Sequence, residues 1–220
     1  MQLRALGRSG LSVSPICLGT MTFGIPVEEP EAIRLVHGAM DLGINFIDTA
    51  NVYEGYARFL GSAGGAAELI LGHALKDCRD QVILATKVGA PIGPGPQDRG
   101  LSSVHVLREL ENSLRRLQTD YIDLYQAHNL KLSQFNDELF SVLASLRQEG
   151  KIREWGVALG PAIGPCCYEI GTDVSDPLLQ KWGEKAEPSL KVQRGRTYLD
   201  LRMLNVALLA EAGVPVPQIA

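Results

Sequence analysis

The first 157 residues predict an α/β fold in which helices cover a parallel sheet, and three observations point to it. Short apolar stretches alternate with amphipathic ones through about five strand–helix units. The strand candidates are apolar throughout, as strands buried on both faces are. The stretches between them carry apolar residues at helical spacing and end on helix-stop signals.

The elements follow in order. LSVSPICLGT (11–20) offers the first strand, and PEAIRLVHGAMDLG (30–43) a helix that ends on Gly43. NFIDTA (45–50) is the second strand. AAELILGHALKD (66–77) is the second helix, with Leu69, Gly72 and Leu75 on or near one face. QVILATKVG (81–89), rich in apolar and β-branched residues, is the third strand. SSVHVLRELENSLRRL (102–117) follows as a helix with Ser102 or Ser103 as its N-cap. YIDLYQAH (121–128), NDELFSVLASLRQEG (136–150) and IREWGVAL (152–159) supply the next strand, helix and strand.

Two architectures compete for this pattern, a doubly wound open sheet and a (β/α)8 barrel. A nucleotide-binding open sheet usually shows a glycine-rich turn after its first strand. The turn here, GTMTFG (19–24), lacks the GxGxxG spacing. Polar groups stand instead at the C-terminal ends of successive strands: Asp48, Lys87 and His128. Barrel enzymes gather their chemistry at those ends, so the barrel is favoured. Eight units need ~250 residues, however, and a composition break falls near Val157 to Pro161. The expectation is an incomplete TIM-type barrel over 1–157 and a non-matching α/β tail over 158–220. The tail has a turn-rich GPAIGPCCYEIG, a short helical DPLLQKWGEKA, a polar link, a strand-like RTYLDL and a helical MLNVALLAEAG.

Bulk properties narrow the function. Across 220 residues, 45% are hydrophobic and 21% charged, and the net charge is −4 with both signs scattered. That excludes a basic nucleic-acid face, and Arg115-Arg116 reads as a solvated helix surface. No apolar run approaches the ~20 residues of a membrane span. The N-terminus MQLRALGRSG is not a secretory signal, and four cysteines do not make a disulfide framework. A cytoplasmic location is expected.

The strand-end residues have complementary chemistry. Asp48 and Tyr53 flank the loop in DTANVY, Lys87 ends ATKVG, and His128 ends YQAH. An ammonium near a phenol stabilises the phenolate, so Lys87 would make Tyr53 a better general acid. Asp48 would hold Lys87 charged and in position, and His128 would orient a carbonyl oxygen. The set suits a reaction that builds negative charge on that oxygen, as hydride addition does. Taken singly, each residue also has a bland reading as a turn, cap, solvated or structural side chain.

LGRSGLSVSPICLGTMTFG, GINFIDTANVY, ILATKVG, ENSLRRLQTDYIDLYQAH and GKIREWGV occur in the order expected of the N-terminal half of an aldo-keto reductase, which residues 1 to about 157 resemble. The resemblance implies a (β/α)8 barrel and NADPH-dependent reduction of an aldehyde or ketone, a small-molecule carbonyl substrate. It implies Tyr53 as acid, Lys87 and Asp48 as its tuning pair and His128 as substrate orienter. Gly19, Thr20 and Met21 would lie beside the nicotinamide, and LRALGRSGLSVS would form a hairpin closing the barrel bottom. The family usually continues GVSN after strand five, and here Ala158 and Leu159 stand in place of Ser and Asn. The family's later Gln, ring-stacking aromatic and basic cluster have no match. Lys191, Arg194 and Arg196 read as a solvated turn.

LGPAIGPCCYEIG and YLDLRMLNVALLAEAGVP resemble a different family, the polyphenol-oxidase (laccase-domain) proteins. That family includes zinc-dependent enzymes acting on purine nucleosides, but its ligands lie upstream of the segment present here. No metal site is carried over. Cys166 and Cys167 lack the spacing of a metal pair and are expected to be small buried thiols. His37, His73 and His105 show no ligand spacing to them. Three readings follow: a reductase-type enzyme impaired by loss of its C-terminal cofactor site, a non-catalytic hybrid scaffold, or a zinc-dependent nucleoside enzyme. Unpaired strand edges in a partial barrel would also invite self-association.

Overall fold

A computed structural model describes residues 1–7, 9–55, 63–128, 136–156, 166–214 and 216. The chain divides into two compact units, Met1–Gly156 and Val157–Ala220. The join GVALGPAIG, with Ala158 and Leu159, lies outside the described residues apart from Gly156.

The first unit opens on a hairpin of β1 (Arg4–Ala5) and β2 (Ser12–Val13), paired antiparallel. Asn45, just ahead of the second sheet strand, secures it. Its carboxamide oxygen accepts from the Ser14 N–H at 2.7 Å and its amide donates to the Ser12 carbonyl at 3.0 Å. The hairpin therefore meets the N-terminal end of that strand.

The sheet strands are β3 (Cys17–Gly19), β4 (Phe46–Asp48), β5 (Ile83–Val88), β6 (Ile122–Ala127) and β7 (Ile152–Gly156). They lie in sequence order and all pair in parallel. Between them run α1 (Glu29–Asp41), α2 (Ala66–Ala74), α3 (Ser103–Leu117) and α4 (Asp137–Gln148). The helices start where the sequence offers starts. Pro30 sits in the first turn of α1, where a missing N–H costs nothing. Ser102 caps α3 through the His105 N–H, and Asn136 caps α4 through the Leu139 N–H at 2.8 Å.

Alternation along the strands sorts the two sheet faces. Ile47, Leu84, Thr86, Val88 and Tyr125 are buried on the helix side. Thr86 bonds Glu68 of α2 at 2.5 Å, and the Tyr125 hydroxyl donates to the Val106 carbonyl of α3 at 3.4 Å. The opposite face carries Asp48, Lys87 and Gln126, with Lys87 directly across from Gln126 in the ladder. Carboxylates buried behind the sheet are paired, as they must be. Glu68 meets Arg116 at 2.7 Å and Asp123 meets Arg79 at 2.7 Å.

Helices α2 and α3 approach closely because of Gly72. A Cβ there would stand 2.3 Å from the Arg116 carbonyl oxygen. Gly72 and Leu75 are buried on this contact, whereas Leu69 is 47% exposed. Leu69 is thus off the buried face, which runs through Ala67, Ile70, Leu71 and Ala74. A step of three residues followed the edge of the apolar stripe and not its centre.

The second unit holds β8 (Glu169–Ile170), α5 (Thr172–Trp182), β9 (Leu190–Gln193), β10 (Arg196–Leu199) and α6 (Leu201–Glu211). Its antiparallel sheet has the order β8-β10-β9. Arg194 and Gly195 join β9 to β10 with φ of 51° and 75°. Positive φ at both central residues suits the twist of a two-residue hairpin. The core packs Ile170, Ala186, Leu199, Leu204 and Leu208 against Trp182 and Leu178.

Several tail expectations are corrected. Part of the polar link is β9, whose pairing with β10 supplies the backbone bonds that a polar sequence conceals. Helix α5 begins at Thr172, ahead of DPLLQKWGEKA, and accommodates Pro177 within it. Helix α6 begins at Leu201, because the Asp200 carboxylate caps it by accepting from the Met203 N–H at 2.9 Å. Cys166 and Cys167 are exposed and not buried.

Candidate active site

The site grows from three successive strand ends. Asp48 is the last residue of β4, Lys87 is the penultimate residue of β5, and His128 follows β6. Parallel pairing in register sets these ends side by side, and DTANVY then returns Tyr53 over them. Two backbone bonds hold that return: the Tyr53 N–H donates to the Ala50 carbonyl at 3.1 Å, and the Tyr53 carbonyl accepts from Ala67 at 3.0 Å.

Lys87 is the hub. Its Nζ donates to Asp48 Oδ2, to the Thr49 carbonyl at 2.8 Å and to Tyr53 Oη at 3.1 Å. The three bonds use all three ammonium protons. The Lys87 side chain is only 13% exposed, and the Asp48 side chain 27%. Burying an ammonium is costly unless it is paired, and here the carboxylate pairs it. The Lys87 Nζ also lies 4.6 Å from the centre of the Tyr53 ring. Tyr53 and His128 meet edge to face, ring centres 6.1 Å apart and planes at 87°. All four expected residues, Asp48, Tyr53, Lys87 and His128, therefore share one rim.

Two further residues belong to the assembly. Gln126 Nε2 donates to Asp48 Oδ1 at 2.9 Å, so both carboxylate oxygens are engaged. Its signal was present in YQAH: Gln126 lies two residues before His128 and so faces the same way along the strand. Asn51 Nδ2 donates at 3.3 Å to Glu109 Oε2, a carboxylate buried on α3, which ties the DTANVY loop to the helix layer.

Of the residues expected beside a cofactor, Thr20 is fully buried and donates its hydroxyl to the Asp48 carbonyl at 3.1 Å. Met21 is 54% exposed. A Cβ on Gly19 would meet nothing within 4 Å. Gly19 and Met21 thus leave an open ledge at the end of β3, which fits one flat ring. In the second unit Lys191 pairs with Asp200 at 3.4 Å and Arg196 with Glu169 at 3.0 Å. A separate cleft of about 860 Å³, lined by Arg79, Arg115, Tyr121 and Lys151, lies at the opposite ends of the strands. Among the described residues no group of three or more His, Cys, Asp or Glu side chains is placed to hold a metal.

Comparison with known proteins decides the family. Residues 15–162 match the family model described as aldo/keto reductase family. The chain belongs to the aldo/keto reductase family. The uncharacterized oxidoreductase YrpG of Bacillus subtilis is 43% identical over 159 residues, 69% of this chain and 47% of that protein. The 6-dehydroglucose reductase of Novosphingobium aromaticivorans is 41% identical over 160 residues, 70% of this chain and 50% of that protein. The chain spans about half the length of the curated relatives it matches. A putative aldo-keto reductase from Pseudomonas aeruginosa has a TM-score of 0.60 at 38% identity, covering 71% of this chain and 59% of that one. This aldo/keto reductase neighbour places the parallel sheet in the barrel-type α/β class. Residues 139–220 match a second family model, multi-copper polyphenol oxidoreductase laccase. Both models claim residues 139–162. No helix among the described residues is long and apolar enough to cross a membrane.

Proposed function

We propose that the chain carries the chemistry of an aldo-keto reductase, reducing an aldehyde or ketone to an alcohol with NADPH, and does so slowly. The observation that carries this reading is the simultaneous contact of Lys87 with Asp48, Thr49 and Tyr53. NADPH, when bound, supplies the hydride. Tyr53 gives its hydroxyl proton to the carbonyl oxygen as charge develops there. The Lys87 ammonium, one hydrogen bond away, stabilises the phenolate that remains. Asp48 fixes Lys87, Gln126 fixes Asp48, and His128 flanks the phenol and orients the carbonyl. A carbonyl compound is the partner; neither nucleic acid nor a membrane is.

The slowness follows from the cofactor. We read residues 1–157 as about five units of a barrel and 158–220 as a fragment of the second family, joined near Val157 to Pro161. The second family model supports the join. Without phosphate contacts a dinucleotide is poorly held, and positioning supplies much of an enzyme's rate. Among the described residues β3 and β7 each pair on one side only, which leaves ladder groups open to association with a second chain.

The test is deuteride transfer from labelled NADPH to an aromatic aldehyde at high cofactor concentration, read by mass spectrometry. Wild type should form labelled alcohol slowly, and Tyr53→Phe should cut the yield per hour by roughly 100-fold or more, the usual worth of a general acid. Equal yields from wild type and Tyr53→Phe would remove the tetrad from the reaction.

A further inference from the structure

The tail carries a pair of groups that the reductase reading leaves unused. Cys166 and Cys167 are both exposed, and their sulfurs lie 3.1 Å apart. That separation limits what the pair can do. A disulfide needs its sulfurs at about 2.0 Å and its Cα atoms usually at least about 4.4 Å apart. Adjacent residues on a trans peptide hold their Cα atoms at about 3.8 Å, so closing this ring strains it. The dithiol is the easier state.

The same distance discriminates among bound centres. With bonds to sulfur of about 2.3 Å, a tetrahedral ion spreads two sulfurs to roughly 3.8 Å, and a linear one to about 4.6 Å. At the observed 3.1 Å, bonds of that length meet at about 85°. An angle near 90° belongs to a pyramidal p-block centre that bonds through p orbitals. A zinc site also lacks its further ligands, since the described residues hold no cluster of three or more metal-binding side chains.

We propose that Cys166 and Cys167 form a bidentate site for a trivalent arsenic centre, with antimony(III) as its chemical analogue. The step is a condensation without redox change. Each thiol loses its proton and forms a sulfur–arsenic bond, each displaced hydroxide leaves arsenic as water, and arsenic stays trivalent. The other cysteines, Cys17 and Cys78, occur singly and lack a second sulfur placed to chelate.

Phenylarsine oxide is the probe, added to the full, reduced chain and followed by intact mass and peptide mapping. We expect one arsenical per chain, mapped to the peptide holding residues 166 and 167. It should survive 2-mercaptoethanol and be removed by 2,3-dimercaptopropanol. Cys166→Ser and Cys167→Ser should each weaken binding at least about 100-fold, because the second bond of a chelate forms at high effective concentration. Cys17→Ser and Cys78→Ser should not. The mapping and competition arms use the wild-type chain and stand even if a variant misfolds. Modification at Cys17 or Cys78, release by the monothiol, a 166–167 disulfide formed on standing in air, or one zinc ion retained per chain would each overturn the proposal.

Discussion

Lys87 satisfies its three protons with a carboxylate, a carbonyl and a phenol. Lys87→Met keeps the volume and removes the charge, leaving Asp48 without its cation and Tyr53 without support for its phenolate. Labelled alcohol formation should fall at least as far as in Tyr53→Phe. Gln126 acts at one remove. Gln126→Leu deletes one bond to the Asp48 carboxylate, worth about 1.5–3 kcal/mol because the acceptor is charged. Formation of labelled alcohol should drop by roughly 10- to 100-fold, and the urea midpoint should fall as well, because the same bond stabilises the fold. The tetrad was legible in the sequence because strand ends of a parallel sheet converge, so polar residues ending apolar runs announce themselves. Gln126 carried a weaker signal, its two-residue spacing to His128, which gains meaning only when register pairs it with Lys87. The exposure of Cys166 and Cys167 was equally hidden, since composition ranks cysteine among buried residues and only the local turn decides.

Helices α2 and α3 approach closely at Gly72, and two tests belong to them. Gly72→Ala places a methyl 2.3 Å from a backbone oxygen that cannot rotate away. The helices must part, at a cost of about 1–3 kcal/mol, read as a lower urea midpoint with an unchanged slope. His105, 1% exposed on α3, tests the pH response. Burial lowers its pKa below the ordinary 6.5, while Glu109 and Asp98 pull upward and Arg108 pushes down. The unfolded chain therefore binds the proton first as pH falls. Stability contributed by neutral His105 is complete above about pH 6.5 and declines between that value and the lowered one. His105→Gln should flatten the fall in urea midpoint between pH 7.5 and pH 5. An equally steep fall would assign the response to other groups. The strands and helices of this unit were readable because burial on both faces writes apolar runs. In the second unit β8 and β9 were not, being short and held by pairing with β10.

At the scale of the whole molecule, residues 15–162 match the aldo/keto reductase family, residues 139–220 match a second family model, and the chain spans about half the length of its curated relatives. Among the described residues β3 and β7 each pair on one side only, and the association proposed from this is tested by sedimentation velocity: dimers or larger species should grow with concentration, and a monomer at every concentration would contradict it. The family was readable from ordered motifs. The most direct test is a titration of NADPH followed by its fluorescence, run beside steady-state reduction of aromatic aldehydes. The account predicts binding no tighter than on the order of 1 mM, equivalent to about −4 kcal/mol, with slow Tyr53-dependent product formation. Saturable micromolar binding with turnover of about 10 per second, the median of enzymes, would contradict it.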